Sequence, residues 1–422
     1  MNLVLPRASM NNLFEPFTLP SGLTLKNRIV KAAMEENLAN KFHKPDQKLF
    51  NLYEQWAQGG VGLIITGNVM VDHLAMTGPG GVALEAGDAL EPFKTLVRHA
   101  KQNDTKLVMQ INHPGRQVFK KMGGKVLSPS DIALDMGKHS NLFTQPKAMT
   151  DAEILDVIER FVTTATLAEQ AGFDGVQVHA AHGYLLAQFL SPLTNKRDDK
   201  WGGSVANRAS LLLSVVERIK QACAPTFSIS VKLNSADFQR GGFDVDDAQQ
   251  VVSMLEAYGI DFVELSGGSY EAPAMQGRTA DDRTLAREAY FLEFAEQIAR
   301  KTTLNIMTTG GVSRLETAQT VINSGVSLVG MASALAFTPN LVESWQQSSP
   351  VDGVIPKVTW KDKTLAGLAT MAIIKRQLRR MSQGASPSHT DSALWSLITD
   401  QINQAKLTKR YRKQHASELL DK

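Results

Sequence analysis

Residues 175–208 read Gly175-Val-Gln-Val-His179-Ala-Ala-His182-Gly-Tyr184-Leu-Leu-Ala-Gln-Phe-Leu-Ser191-Pro192-Leu-Thr-Asn195-Lys-Arg197-Asp198-Asp-Lys-Trp201-Gly202-Gly203-Ser204-Val-Ala-Asn207-Arg208. The opening residues form a short run with Val176 and Val178, the mark of a buried strand. Polar and aromatic residues crowd directly behind it, and a helix-period segment follows at 205–222. Strand, functional loop and helix together make one unit of a parallel α/β fold. The unit recurs. Strand candidates lie at 29–34, 62–67, 106–111, 175–180, 228–233, 262–266, 305–309 and 328–332, with helical patterns at 47–58, 152–171, 205–222, 248–258, 286–300 and 314–323. Eight such units predict an α/β fold of the closed (β/α)8, or TIM barrel, type. No Gly-x-Gly-x-x-Gly follows the first strand, which counts against an open dinucleotide-binding sheet.

Barrel enzymes carry their chemistry on the loops that follow the strands. Two of these are long, 112–150 after the third strand and 267–284 after the sixth, and both read as pocket walls or lids. Ahead of the first strand, residues 17–19 and 23–25 flank Pro20-Ser21-Gly22, a hairpin expected to plug the bottom of the barrel. Strand signals stop after Pro350. The expected organisation is a barrel over 1–350 and a basic, mostly helical extension over 351–422.

The chain has 422 residues, 43% hydrophobic and 21% charged, which excludes disorder. Its one cysteine, Cys223, can neither close an internal disulfide nor supply a cysteine-ligated cluster, so redox chemistry requires a bound organic cofactor. Residues 1–10 lack a signal-peptide core, and no apolar run approaches the roughly 20 residues that span a bilayer. A cytoplasmic protein without a membrane partner is expected. The net charge of +3 is uneven, with 13 Lys/Arg against five Asp/Glu in residues 355–422. There Leu365, Leu368, Met371, Ile374 and Leu378 recur at helical spacing, predicting a packed face with Lys375, Arg376, Arg379 and Arg380 turned to water. The basic face reads as solvated rather than nucleic-acid-binding, and the extension is a candidate surface for a homo-oligomer.

The chemistry concentrates at His179, His182 and Tyr184. Two imidazoles at the end of one strand can aim donors at a single oxygen, and a phenol two residues on can give or take a proton. His-x-x-His can also chelate a metal, but no third ligand lies close in sequence, and no metal is expected there.

At these residues the chain resembles the Old Yellow Enzyme family, the FMN-dependent NAD(P)H:flavin oxidoreductases built on a (β/α)8 barrel. That family's strand-four segment reads His-x-x-(His/Asn)-Gly-Tyr-Leu, then Gln-Phe-Leu-x-Pro, Asn-x-Arg-x-Asp and an aromatic before Gly-Gly-Ser, and residues 179–208 match nearly throughout. The likeness continues at Asn27-Arg28-Ile-Val, Thr66-Gly67, Gln110-Ile-Asn-His113-Pro-Gly115-Arg116-Gln and Gly310-Gly311, covering about residues 12–345. Larger relatives add an iron–sulfur cluster and a second nucleotide domain; one cysteine and a short tail imply the single-domain type.

The resemblance implies roles residue by residue. His179 and His182 would hold the substrate's carbonyl oxygen, and Tyr184 would protonate the carbon α to it. Gln110 would bond the flavin pyrimidine edge, and Lys232 would sit near flavin N1 and O2, although a structural ion pair with Asp237 or Asp244 serves the same cation equally well. Gly67 and Ala33 would border the cofactor. Gly310, Gly311, Ala332 and Ser333 would receive its phosphate. Two positions depart from the family pattern. Ser333 stands where many relatives have a phosphate-binding Arg, losing a charge-assisted bond typically worth about 1.5–3 kcal/mol. Glu35 stands where relatives often have Thr or Cys beside flavin O4. His113 is expected to line the pocket or fix its loop, and Arg116 to neutralise a carboxylate of the fold or meet an acidic substrate.

The resulting expectation is an ene-reductase. NADH or NADPH reduces bound FMN, which passes hydride to the β-carbon of an α,β-unsaturated carbonyl or nitro compound. The alternatives are a flavin-dependent oxidase or dehydrogenase of a 2-hydroxy acid or amine, and a catalytically idle FMN-binding protein with an interaction tail.

Overall fold

The computed structural model describes residues 13–274, 288–347 and 351–420. Residues 1–10, the second half of the 267–284 loop and the start of the helix expected at 286–300 therefore fall wholly or partly outside the described residues, as does Pro350.

Eight strands close on one another in parallel: β1 (Ile29–Lys31), β2 (Leu63–Ile65), β3 (Lys106–Asn112), β4 (Gly175–Ala180), β5 (Ser228–Asn234), β6 (Phe262–Ser266), β7 (Asn305–Thr308) and β8 (Leu328–Met331). Each pairs with the next, and β8 returns to β1 through Val329–Ile29 and Gly330–Val30. Helices wrap the outside: α1 (Gln47–Gln58), α2 (Glu91–Ala100), α3 (Asp151–Ala171), α4 (Val205–Ala222), α5 (Val245–Glu256), α6 (Leu292–Ala299) and α7 (Leu315–Asn323).

Strand alternation sorts the core into two sets. Ile29, Ile64, Leu107, Met109, Val176, Val178, Val231, Val263 and Val329 face the helices in one large buried cluster. Val30, Leu63, Ile65, Val108, Phe262, Met307 and Leu328 face inward and pack with Leu19 and Leu25 of the N-terminal hairpin. That hairpin, Phe17–Thr18 against Thr24–Leu25, turns at Gly22 with φ +88 and plugs the barrel as expected. Ser21 anchors it, donating from its N–H to Asp261 Oδ1 at 2.8 Å.

The caps explain why the helices start where they do. Thr150 and Glu153 form a reciprocal capping box at α3, and Ser204 and Asp244 accept from the first turns of α4 and α5.

The C-terminal region adds α8 (Lys363–Ser382) and α9 (Ala393–Gln414). Its packed face is only partly the expected one, with Ile374 and Leu378 buried and Met371 bordering the core. Leu365 and Leu368 are exposed, whereas Ala366, Ala369, Ala372, Ile373, Ile374, Leu378 and Met381 are buried. Small residues let α8 approach α1 and the short helix Ser333–Phe337 closely. Two of the arginines expected to face water instead hold the hairpin of helices together, Arg376 with Asp391 (3.2 Å) and Arg379 with Asp400 (3.0 Å). No described helix is long and apolar enough to cross a membrane.

Candidate active site

Register builds the site. Gln110 lies opposite Gln177 across β3 and β4, while His179, Lys232 and Glu264 stand in one row across β4, β5 and β6. By alternation all five face into the barrel near its C-terminal mouth. They form a continuous polar layer: Gln110 Nε2 donates to Gln177 Oε1 (2.8 Å), Gln177 Nε2 donates to Glu264 Oε2 (2.8 Å), and Lys232 Nζ pairs with Glu264 Oε1 (2.9 Å). Glu264 is thus the partner of Lys232, in place of the expected Asp237 or Asp244. Asp237 is occupied by the Phe243 N–H and Asn234, and Asp244 by its cap.

Above this layer the three residues singled out at the end of β4 meet. The rings of His179 and His182 have centroids 5.1 Å apart, and those of His179 and Tyr184 4.9 Å, both edge-to-face. The Ala181 N–H donates to His179 Nδ1 at 3.2 Å, so the proton of the neutral ring sits on Nε2. His182 adopts φ +60, a left-handed conformation that a non-glycine residue keeps only when held. Asn234 Oδ1 accepts its N–H at 3.0 Å, and Gln117 Nε2 donates to its carbonyl at 2.9 Å. Its Nε2 lies 2.8 Å from Ser266 Oγ at the end of β6. Burial, reinforced by the Lys232 charge, holds both imidazoles well below the ordinary histidine range, so both are neutral at physiological pH. Burial and the nearby Tyr270 and Glu35 keep the Tyr184 phenol protonated, and the two tyrosine hydroxyls lie 3.3 Å apart.

The remaining expected residues are arranged around this centre. Ala33 and Ala332 are half-buried and border the inner barrel cluster. Glu35 accepts a hydrogen bond from the Thr77 hydroxyl. Gly67 is buried, and its N–H is taken by Tyr53 Oη (3.0 Å) and Glu36 Oε1 (3.2 Å); a Cβ there would collide with Met34 O at 2.4 Å. Gly310 and Gly311 have φ +117 and +71 and lie against the ring of Tyr290. Ser333 begins the five-residue helix Ser333–Phe337, whose first amides have no intrahelical acceptor.

The long loops after β3 and β6 are tied together. Arg116 Nη2 pairs with Glu271 Oε2 at 2.6 Å, both side chains nearly buried, and Arg116 Nη1 donates to the carbonyls of Ile132 and Ala133. His113 fixes its own loop by accepting the Gly115 N–H at 3.1 Å. Much of the motif behind β4 is scaffold. Asn195 Nδ2 bridges the Phe189 and Trp201 carbonyls, Gln188 holds Pro114 and Gly183, and Arg208 joins Leu190 to Asp247. Sequence reasoning missed Ser266, Gln117, Gln177 and Glu264. The period-2 alternation of 262–266 would have shown Glu264 and Ser266 sharing the inward face.

An eight-stranded barrel with neutral imidazoles, a protonated phenol and a polar layer at its mouth has the form of a barrel enzyme's site. The family model described as NADH:flavin oxidoreductase / NADH oxidase matches residues 12–352, and the chain belongs to that family. The NADH-dependent flavin oxidoreductase iliE of Hypocrea jecorina is 35% identical over 348 residues, which are 77% of this chain and 86% of that protein. An NADH oxidase of Thermoanaerobacter brockii is 34% identical over 322 residues, 74% of this chain but 47% of its own length. In fold the chain is similar to an old yellow enzyme homologue from Zymomonas mobilis, with a TM-score of 0.69 at 24% identity over 81% of this chain and 94% of that one. The protein is an NAD(P)H-linked flavin oxidoreductase, and FMN is the family's cofactor.

Proposed function

We propose that this enzyme reduces the activated double bond of α,β-unsaturated carbonyl or nitro compounds, with NADH or NADPH as the electron source. The observation that carries the reading is the convergence of His179, His182 and Tyr184 in protonation states suited to it.

The residues present fit FMN. Gln110 spends its amide nitrogen on Gln177 and, among the described residues, leaves Oε1 open. Two residues on, both side-chain amide atoms of buried Asn112 have no partner among the described residues, which a polar ligand over this strand end would satisfy. Gln110, Lys232, Ala33, Glu35 and Gly67 would border the ring system, and Gly310, Gly311, Ala332 and Ser333 the phosphate. When bound, FMN supplies hydride transfer between the nicotinamide and the alkene.

The chain's own groups do the rest. His179 donates from Nε2 to the substrate oxygen as negative charge grows there. His182 is the second donor, and Ser266, whose hydroxyl can rotate, gives its Nε2 an exchangeable partner. Neutral donors fixed in advance stabilise that charge without reorganising. Tyr184 gives a proton to the carbon α to the activating group and is reprotonated from water through the Tyr270 hydroxyl, 3.3 Å away. Arg116 is committed to Glu271 and so is not free to hold a substrate carboxylate, as oxidation of a 2-hydroxy acid would need. The division into a barrel of 1–350 and an extension of 351–422 belongs to the same proposal.

The test is anaerobic mixing of the FMN-loaded enzyme with NADH or NADPH, followed by cyclohexenone. Flavin absorbance should bleach and then return on adding the enone. Bleaching without return would contradict alkene reduction, and no bleaching would favour an idle flavin-binding protein.

A further inference from the structure

The end of the C-terminal extension meets the loop after β2. His73 on that loop, and His415 and Glu418 at the end of α9 and in the helix Ala416–Leu420, bring one ligand atom each to within 4.8 Å of one another. His73 Nε2 lies 2.8 Å from Glu418 Oε2, and His415 Nδ1 lies 3.0 Å from Glu418 Oε1.

The far side of each ring is also occupied. His73 Nδ1 lies 2.7 Å from Glu85 Oε2. His415 Nε2 lies 2.9 Å from His43 Nε2, and His43 Nδ1 faces the Gly81 carbonyl at 3.3 Å. Donation from His43 Nδ1 to that carbonyl leaves His43 Nε2 bare, able to accept the proton of His415 Nε2. Both histidines of the cluster therefore donate their remote N–H to an acceptor, Glu85 for one and His43 for the other. They turn their second nitrogens toward one carboxylate, the outer-shell arrangement that orients metal-binding imidazoles.

We propose that His73 Nε2, His415 Nδ1 and the Glu418 carboxylate bind one divalent transition-metal ion of the zinc type, clasping the extension to the barrel. Two histidines and a glutamate form a ligand set suited to zinc, with the fourth position left to water. Tetrahedral ligands at zinc distances stand about 3.3 Å apart: the 2.8 and 3.0 Å contacts, which reach the two different oxygens of Glu418, would open by a few tenths of an ångström, and the widest separation in the set, within 4.8 Å, would close onto the ion. Glu418 is 43% exposed and His415 only 7%, so the ion has a path from solvent to an anchored ligand.

Asp72 and Glu85 are not further ligands. Asp72 is held by Lys125, and Glu85 by Arg160 and by its bond to His73.

The clasp reaches the active-site wall. Tyr411 Oη donates to the His73 carbonyl (2.9 Å), and Leu407 packs against Gly80, its Cδ1 3.2 Å from where a Cβ on that glycine would stand. The same loop carries Thr77, the partner of Glu35.

The experiment takes the full-length, FMN-loaded protein, stripped with chelator and desalted, and titrates it with zinc chloride, with magnesium chloride as control. The proposal expects one retained zinc per chain, no retained magnesium, and a Tm higher by about 3 °C at a hundredfold excess over Kd. His415→Ala and Glu418→Gln should each lose at least tenfold in zinc affinity and lose the Tm rise. His43→Ala, which removes an acceptor and no ligand, should weaken zinc about 10–100-fold while keeping the stoichiometry. Flavin content reports that each variant is folded, and Glu418→Gln is close to isosteric. Absence of retained zinc in the parent protein would overturn the proposal, as would equal retention by His415→Ala and Glu418→Gln.

Discussion

The backbone N–H of Ala181 donates to Nδ1 of His179 at 3.2 Å, and this one bond leaves the ring's proton on Nε2. The imidazole is thereby a donor before any substrate arrives. His179→Ala should slow flavin reoxidation by an enone by about 10²–10³-fold, the usual cost of one lost oxyanion donor, and should weaken binding of phenols. Reduction by the nicotinamide should change little. Stopped-flow measurement of the two half-reactions separates these effects.

His113 predicts a pH dependence of stability. Burial pushes its imidazole down to about 4, so below 6.5 the unfolded chain binds a proton that the folded chain refuses. Its contribution is intact above pH 6.5 and is lost as pH falls toward 4. Between pH 6.5 and 5 the loss is about 2 kcal/mol from this group. His113→Asn, which keeps an acceptor for the Gly115 N–H, should remove that part of the slope in denaturation curves taken across the range.

The Arg116–Glu271 pair predicts loop behaviour. Removing one partner of a nearly buried pair strands the other charge at a cost of about 3–5 kcal/mol. Glu271→Ala should therefore speed amide exchange at 131–135 and 269–272, and Arg116→Met with Glu271→Leu should restore much of the protection.

The two faces of α8 should respond oppositely to substitution. Leu365→Ser and Leu368→Ser change exposed positions and should stay within about 0.5 kcal/mol of the parent. Leu378→Ala empties a site that is 1% exposed and should cost about 2–4 kcal/mol in urea unfolding.

Strand positions were legible because buried parallel strands are short apolar runs bounded by turns. β4 and β6 fall on their expected residues, and the other six differ only at their ends. Helix α2 was missed because Leu90 offers no side-chain cap, although Phe93, Leu96 and Ala100 carry the helical period. The partner of Lys232 was not legible: Glu264 is distant in sequence and becomes its neighbour only through strand register. On α8, Ile374 and Leu378 pack as read and Met371 borders the core, but Leu365 and Leu368 are exposed while Ala366, Ala369 and Ala372 are buried, because alanines that permit close helix approach carry little hydrophobic signal. Ser266 likewise reaches the site from another strand. His179, His182 and Tyr184 could be read together because a single strand end and turn deliver all three.

The most direct test of the central claim is Tyr184→Phe, followed by stopped flow through both half-reactions. FMN content and the rate of reduction by NADH or NADPH should stay near the parent values, while reoxidation by cyclohexenone falls steeply and reoxidation by a nitroalkene falls less, since a nitronate can leave and take its proton from water. Equal slowing of flavin reduction and enone reoxidation would contradict it, and would make Tyr184 a residue that shapes the pocket rather than the proton donor.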